Sequence, residues 1–249
     1  LDSSPAPRMR IGAWLTAQGV EVDSTARVYV DDPDSDRDAG DKIPFTSVPP
    51  AIQRAVGQHD LARAGLSVAF DSRTGEELSL SGNHVSAQVE AVSDGEKDWG
   101  ILLLDWRHYR PLQPGLLLAA NAKWNATART APFFERPYVG GLYSVRGYPS
   151  HALSPAEGDL RTLTGGVELR AALIGRRDDP TLAGLLFADA GLGVQRENPT
   201  WNAVDVGMGF GFRVRVPWIR RLGIDVGFPV TPRPDLDPVH VNASIGWTY

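Results

Sequence analysis

The stretch that decides the fold is VDVGMGFGFRVRVP, residues 204–217 of a chain of 249 residues. Apolar side chains occupy every second position of this stretch, namely Val206, Met208, Phe210, Phe212, Val214 and Val216. Glycine and arginine fill the positions between them. An alternation of period two is typical of a β-strand with one apolar face and one small or charged face. The stretch therefore predicts a strand.

The same alternation recurs along most of the chain. Toward the end it covers residues 221–230 and 240–249, where Trp247 and Tyr249 continue the apolar face that begins at Val241. Further strands are predicted at residues 10–20, 24–30, 61–71, 83–92, 99–109, 116–126, 163–172 and 185–194. An antiparallel sheet that closes on itself has an even number of strands, so residues 43–48 are expected to add one more, for about twelve strands.

Composition supports an all-β chain in one domain, residues 1–249. The chain has 26 glycines and 19 prolines, and its apolar runs are far shorter than the roughly 20 residues of a transmembrane helix. No cysteine is present, which excludes disulfides and thiolate sites. A net charge of -5 without a basic stripe argues against nucleic-acid binding. The first residues show no export signal.

Alternation alone does not separate a membrane barrel from a soluble one. A soluble β-sandwich or lipocalin-like barrel also alternates, but it turns its apolar face inward. Here the other face carries glycine and charged residues on strand after strand, tryptophan and tyrosine gather near strand ends, and strands run about ten residues. These features favour an antiparallel transmembrane β-barrel.

One connection stands out by its length. Residues 127–158 form a long stretch rich in proline, glycine and aromatic residues, whereas the connections at residues 110–115 and 217–221 are tight. A structureless stretch of that length usually has a functional reason. It contains PFFERPYVGGLYSVRGY, residues 132–148, in which Val145, Arg146, Gly147 and Tyr148 form the sequence VRGY.

This segment resembles the glycine-rich VRGF/Y segment of the BamA/TamA-type outer-membrane assembly barrels, the bacterial surface antigen superfamily that also contains the two-partner-secretion exporters. The later motifs GGVELR, LLFADAG, GMGFGFRVRVPW and RLGIDVGFPV follow in the family's order. In that family the loop folds into the lumen and acidic wall residues hold its arginine. The resemblance implies that Glu168 and Asp189 hold Arg146, and alternation places both carboxylates on the lumenal face. An exposed loop arginine is the alternative.

The last strand resembles the signal by which assembly machinery recognises barrel substrates. Asn242, Trp247 and Tyr249 match its polar and aromatic positions, although Ser244 stands where glycine is usual. An aromatic girdle position is the plainer interpretation of Tyr249. The chain also departs from the family, because only a few residues precede its first predicted strand. We therefore expect no periplasmic POTRA domains and about four strands fewer than the family's sixteen.

No catalytic chemistry is evident in the sequence. Ser144 lacks the G-x-S-x-G context, and the five histidines show no metal-ligand spacing. The acidic run at residues 31–38 lacks the glycine and glutamate of a calcium loop and is interpreted as solvated. Residues 49–56 are expected to contain a short helix after a proline start. We expect neither cofactor nor metal.

Protein insertion or translocation at the bacterial outer membrane is the leading functional hypothesis. Lipid or lipopolysaccharide is the expected surrounding, and nascent outer-membrane proteins or a periplasmic partner are expected to bind. A plugged passive pore or membrane anchor comes second. A lipid-modifying enzyme with serine and histidine on neighbouring strands comes third. Weak closure between the first and last strands could template an incoming strand, whereas firm closure would favour a pore or anchor.

Overall fold

A computed structural model describes residues 7–27, 42–195, 203–218, 221–233 and 236–249. The strands are β1 (Arg8–Val22), β2 (Ala26–Arg27), β3 (Lys42–Ile43), β4 (Gly57–Asp71), β5 (Gly82–Ser93), β6 (Asp98–Gln113), β7 (Leu116–Thr127), β8 (Arg161–Gly175), β9 (Pro180–Val194), β10 (Asp205–Arg215), β11 (Arg221–Pro229) and β12 (His240–Ile245). Ten of them form one antiparallel sheet in the order β1-β4-β5-β6-β7-β8-β9-β10-β11-β12, and β2 pairs with β3 in a separate ladder. The all-β antiparallel prediction is confirmed.

The sequence alternation corresponds to the two faces of this sheet. Large apolar side chains such as Leu15, Leu186 and Ile224 are exposed on the outer face. Charged residues on the opposite face, among them Glu168 and Arg213, are buried. Such a distribution is the reverse of a soluble barrel and is typical of a barrel wall that meets hydrocarbon. No helix in the described part of the chain has the length and apolar character of a membrane span.

The prediction of about twelve strands is wrong for the described residues, which contain ten strands in the main sheet. Residues 43–48 contribute only Ile43 to a two-residue ladder and then form a 3-10 turn, Phe45–Ser47. Pro44, Pro49 and Pro50 flank this turn and have no N–H to donate to a strand ladder. Of the described part of the strand predicted at residues 24–30, which is residues 24–27, only Ala26–Arg27 form a strand.

Two further predictions concern the same connection. Residues 28–30 of the predicted second strand, and the acidic run at residues 31–38, lie outside the described residues. The predicted helix is confirmed as α1, Pro50–Gln53, with proline in its first turn.

The last strand is shorter than the alternation indicates. It ends at Ile245, and Gly246 then adopts a φ of 84°, in the left-handed region that favours glycine. Because of this turn, Tyr249 lies buried inside the sheet's curvature, so the prediction that Trp247 and Tyr249 share the outer face with Val241 is wrong. Inside, Tyr249 packs in an apolar cluster with Leu78, Tyr109, Leu117 and Ala119.

The two edges of the sheet differ in length. β1 has 15 residues and pairs with β4, whereas β12 has six residues and pairs with β11. Within the described residues, no ladder joins β1 to β12. The sheet is therefore a curved, partial barrel with a seam between its first and last strands.

Connections at the two ends of the strands also differ. The long connections all lie at one end of the strands, together with the short β5–β6 hairpin. They join β1 to β4, β7 to β8, β9 to β10 and β11 to β12. Short connections, such as residues 114–115 and 176–179, occupy the other end. Outer-membrane barrels place long loops outside and short turns in the periplasm. We call these ends the loop end and the turn end.

Candidate functional site

The site is built around Arg146, which the connection between β7 and β8 carries into the curved interior of the sheet. Its guanidinium forms a bidentate pair with Asp189, with Nε to Oδ2 at 2.7 Å and Nη2 to Oδ1 at 2.9 Å. Its Nη1 donates to Glu168 Oε1 at 2.6 Å. The backbone N–H of Arg146 donates to Asp189 as well, at 3.1 Å. The structure thus brings together the three residues that the resemblance paired.

Further charged residues extend this cluster. Asp225 lies 3.6 Å from Arg146 and accepts a bidentate pair from Arg213, at 2.7 and 2.8 Å. Arg170 donates to the second oxygen of Glu168 at 2.7 Å. Three arginines therefore face three carboxylates. All six side chains are buried, with exposed fractions of 0 to 4%. We call these six residues the buried ionic cluster.

Paired charges make this burial tolerable. An isolated buried charge is strongly unfavourable, whereas a bidentate arginine–carboxylate pair satisfies most donors and acceptors. Burial opposes the charged form of Arg146, but the hydrogen bond and charge of Asp189, with Glu168 and Asp225, outweigh it and raise the pKa of Arg146 above its usual value. The Arg146 guanidinium also lies over the Phe187 ring, 3.8 Å from its centroid.

Glycines allow the loop backbone to touch the sheet. A Cβ on Gly207 would lie 1.8 Å from the carbonyl oxygen of Arg146, and one on Gly227 would lie 2.4 Å from the nitrogen of Gly147. Gly147 itself has a φ of 97° and packs against the backbone of Phe228. The glycines of GMGFGF and DVGF therefore form a smooth wall against which the VRGY segment fits.

Apolar contacts and one hydroxyl hold the rest of the VRGY segment. Val145 and Tyr148 are fully buried in a cluster with Val139 and Leu153. The Tyr148 hydroxyl lies 2.7 Å from the Thr231 carbonyl oxygen and 3.0 Å from that of Val206. Both charge and packing therefore hold the VRGY segment in the interior of the sheet.

The end of the sequence enters the same interior. The Trp247 indole donates to Glu77 at 2.7 Å, and its ring lies 4.4 Å from the Arg170 guanidinium. Arg170 also donates to the Tyr249 carbonyl oxygen at 2.7 Å. Arg213 donates to the Thr248 hydroxyl at 3.2 Å. Residues 247–249 thus occupy a lumenal pocket that the buried ionic cluster helps to form.

Asn242 remains on β12, where it is the register partner of Asp225. Its amide nitrogen is buried and has no hydrogen-bond partner in the part of the chain that the structure describes. The structure therefore separates the three residues of the predicted assembly signal, because Asn242 lies in the ladder and Trp247 and Tyr249 lie beyond the turn at Gly246. Their role as a signal stays a prediction.

A second anchor holds the loop near the opposite edge of the sheet. Arg63 of β4 pairs with Glu90 of β5 at 3.1 Å and also pairs with Glu135 of the loop. The Trp14 indole of β1 donates to the other oxygen of Glu90 at 3.1 Å. This chain of contacts links the edge strand β1 to the loop.

Sequence reasoning missed several of these residues. Four charged residues lie on the lumenal face that the alternation defines, so their placement was available from the sequence pattern. They are Asp225, Arg170, Arg213 and Arg221. The sequence does not show which arginine pairs with which carboxylate, because the pairing depends on the register between strands distant in sequence. The inward turn at Gly246 had one weak signal, the glycine itself.

A family model described as the Omp85 superfamily domain matches residues 12–249 of this chain. The chain belongs to the Omp85 superfamily. This membership confirms the resemblance drawn from the VRGY segment and the motifs that follow it, and the Omp85 match covers nearly all of the described sheet. No curated protein sequence matches the chain.

Among solved structures, the Omp85 fold is matched by the crystal structure of BamA from Haemophilus ducreyi lacking POTRA domains 1-3. The TM-score is 0.68 at 13% sequence identity, and the match covers 98% of this chain and 52% of that one. The chain therefore spans about half the length of that BamA structure. At this identity the likeness concerns the fold, which is an Omp85 barrel sheet.

Proposed function

We propose that this Omp85 chain acts in the insertion or translocation of proteins at the bacterial outer membrane, with the seam beside β1 as its working surface. The observation that carries the proposal is the unequal pair of edges. β1 presents 15 residues, and among the described residues only its β4 side is paired. An unpaired strand edge is a template for β-augmentation by an incoming strand.

The membrane makes this edge a strong acceptor. Met9, Ile11 and Leu15 of β1 are exposed on the outer face, with exposed fractions of 65 to 84%, as expected for contact with hydrocarbon. In that environment an unpaired backbone N–H or C=O costs several kcal/mol. A nascent barrel strand that pairs with β1 removes this cost for both partners.

The diverted end of β12 supports the same proposal. The turn at Gly246 takes residues 247–249 into the lumen, where Arg170 and Glu77 hold them. The last residues therefore do not extend β12 along the seam. Holding them inside leaves β12 as an edge strand of six residues, against 15 for β1.

A plugged pore or membrane anchor is the second candidate. It is favoured by the loop itself, because the VRGY segment is fixed in the interior by the buried ionic cluster and by packing. Under either function we propose that the chain carries out no catalytic step. The two candidates differ in whether the β1 edge accepts a strand.

Site-specific cross-linking tests the proposal. The chain has no cysteine, so Leu15→Cys on β1 and Ala120→Cys on the central strand β7 give clean single sites on the outer face. Each variant is placed in lipid vesicles with an unfolded outer-membrane barrel that carries one cysteine in its last strand. We expect faster folding of this client than in empty vesicles, with disulfides to position 15 and not to position 120. Equal cross-linking at both positions, or no acceleration of folding, would contradict the proposal.

A further inference from the structure

The connection between β4 and β5 folds over the interior of the sheet at the turn end. Its short 3-10 turn, Glu77–Ser79, carries Leu78, which is buried. Leu78 packs with Tyr109 and Leu117 on the interior face of β6 and β7. The Leu78 N–H donates to the Asp178 carbonyl oxygen of the β8–β9 connection at 3.2 Å. The β4–β5 connection therefore reaches from the strands beside β1 to strands much farther along the sheet.

The carboxylate of Glu77 contacts the other side of the seam. Its Oε2 accepts hydrogen bonds from Arg221 Nε and from the Trp247 indole, both at 2.7 Å. Arg221 is the first residue of β11, and Trp247 follows β12. Glu77 itself follows β4, the strand that pairs with β1. One carboxylate thus links the two sides of the seam at the turn end. We call Glu77, Arg221 and Trp247 the Glu77 clasp.

The local structure of the connection fixes the position of Glu77. Thr74 and Ser81 exchange two backbone hydrogen bonds of 2.8 Å. The Ser79 hydroxyl bonds to the N–H and to the carbonyl oxygen of Glu76, at 3.2 and 2.7 Å. Glu77 has a φ of 49°, in the left-handed region that residues with a side chain seldom adopt. Such a conformation persists where the surrounding contacts determine it, and it is found more often at functional positions.

Arg221 has further partners besides Glu77. Its guanidinium is buried, and its Nη1 donates to the Pro180 carbonyl oxygen at 2.9 Å. Its Nη2 donates to Asp179 at 2.9 Å. A substitution of Glu77 therefore leaves the buried guanidinium paired with a carboxylate, which avoids the large cost of an unpaired buried charge. Such a substitution removes the link across the seam while the neighbouring charges stay compensated.

We propose that Glu77 is a positioning residue that holds the two sides of the seam together at the turn end and limits how far the edge of β1 opens. No ladder joins β1 to β12 within the described residues, so the clasp helps to fix the distance between these edges. Both of its hydrogen bonds end on a carboxylate and are therefore stronger than neutral ones. An incoming strand needs room beside β1, so the clasp opposes strand acceptance. This last step rests on the proposed function, whereas the effect on the seam does not.

A distance measurement between two spin labels tests the clasp. The chain has no cysteine, so Met9→Cys on β1 with Ile245→Cys on β12 places one label on each edge, at exposed positions near the turn end. Electron paramagnetic resonance on the full chain in lipid vesicles then gives the distance between the labels in the absence of client. We expect Glu77→Ala to shift this distance to larger values. Glu77→Gln, which keeps an oxygen acceptor, should shift it less.

Controls separate the clasp from a general loss of structure. Glu76→Gln changes the exposed neighbour of Glu77 on the same turn and should leave the distance as in the parent. Labels at Val85→Cys and Leu186→Cys lie on strands that continuous ladders connect, and their distance should not change in Glu77→Ala. Trp247→Phe removes one donor of the clasp, so it should give part of the shift and add little to Glu77→Ala.

The client-folding assay is run on the same substitutions without labels. We expect Glu77→Ala to fold the client faster than the parent does, by up to about tenfold, with more disulfide formed at position 15. Slower client folding in this variant, with an accelerating parent, would overturn the limit on strand acceptance.

An unchanged distance between positions 9 and 245 in Glu77→Ala, or an equal shift in Glu76→Gln, would overturn the clasp whether or not the chain folds clients. A longer distance in Glu77→Ala supports the clasp. If neither the parent nor this variant then accelerates client folding, only strand insertion is refuted.

Discussion

The two halves of the sheet hold their strands by different means. In β8–β11, the lumenal side chains form the buried ionic cluster, and the loop and the last residues of the sequence pack against them. At the other edge, β1 is joined by one ladder, by the indole of Trp14 to Glu90, and by an ion pair between Arg10 and Asp71 in which Arg10 is 68% exposed. One half is fastened by buried ion pairs, whereas the half beside β1 is fastened by the Arg63 anchor and by an apolar cluster of Leu61, Val92, Trp99 and Ala131, against which Val20 of β1 packs.

This difference indicates what the buried charges do. Replacing a buried ion pair by apolar residues is often neutral or stabilising, so such pairs are weak evidence for stability but can specify one arrangement. Here they fix the VRGY segment and residues 247–249 inside the barrel. The edge of β1 carries no such group of buried charges in the described residues, and under the proposed function it is this edge that accepts a strand. The following predictions test this contrast.

The largest effect is expected from Arg146→Ala. It leaves Glu168 and Asp189 buried without their common partner, and breaking a buried pair in this way costs about 3–5 kcal/mol. The free energy of urea-induced unfolding in lipid vesicles measures the change. Arg176→Ala, which removes an ion pair on an exposed turn, is the control and should leave that free energy unchanged. Similar losses of unfolding free energy from both variants would show that the buried Arg146 pair and the exposed Arg176 pair contribute equally, which would contradict the account.

Two glycine substitutions compare the halves directly. In Gly207→Ala the new Cβ meets the Arg146 carbonyl oxygen of the fixed loop, whereas in Gly65→Ala it meets only the Trp14 ring. Backbone cannot move as readily as a side chain, so we expect a loss of about 3 kcal/mol for the first and about 1 kcal/mol for the second. Unfolding free energies of the two variants give the comparison. A greater loss for Gly65→Ala would show that β1 is the more rigid half.

A pH dependence is expected at the base of the loop. Asp159 is fully buried, and burial raises the pKa of its carboxyl from 3.8 to about 6, although the Ser154 hydroxyl donates to it. A raised carboxyl pKa destabilises the folded state above that pKa, and the penalty disappears as the pH falls toward the unfolded value.

The contribution of Asp159 should therefore raise the wild-type free energy of unfolding by a few kcal/mol at most as the pH falls from about 7 to about 4. Asp159→Asn should flatten this part of the profile, since the amide does not titrate. A variant profile parallel to that of the wild type would assign the dependence to other groups.

Much of the fold could be predicted because its alternation has a simple physical cause. The alternation in residues 204–217 predicts one apolar outer face, and in the structure Met208, Phe210, Phe212 and Val214 are exposed while Arg213 is buried on the other face. β12 departs from it, because the pattern continues through Trp247 whereas the backbone turns at Gly246. A period of two describes faces but not where a strand stops pairing.

The site could be predicted in part. The resemblance implies that Glu168 and Asp189 hold Arg146, and alternation places both carboxylates on the lumenal face; in the structure both accept hydrogen bonds from Arg146. Asp225 and Arg213 were missed, since their pairing depends on the β10–β11 register. The contact between Arg63 and Glu135 was missed because it joins a strand to a loop, where no periodicity applies.

Hydrogen exchange of the β1 amides tests the central claim most directly. In an antiparallel edge strand, alternate N–H groups point to the neighbouring strand and the others point away, so an unpaired edge leaves about half of them without a partner. In detergent micelles without client, we predict fast exchange at alternate positions of β1 and slow exchange throughout β9, which is paired on both sides. Uniformly slow exchange along β1, matching β9, would mean that the seam is closed and would contradict the account.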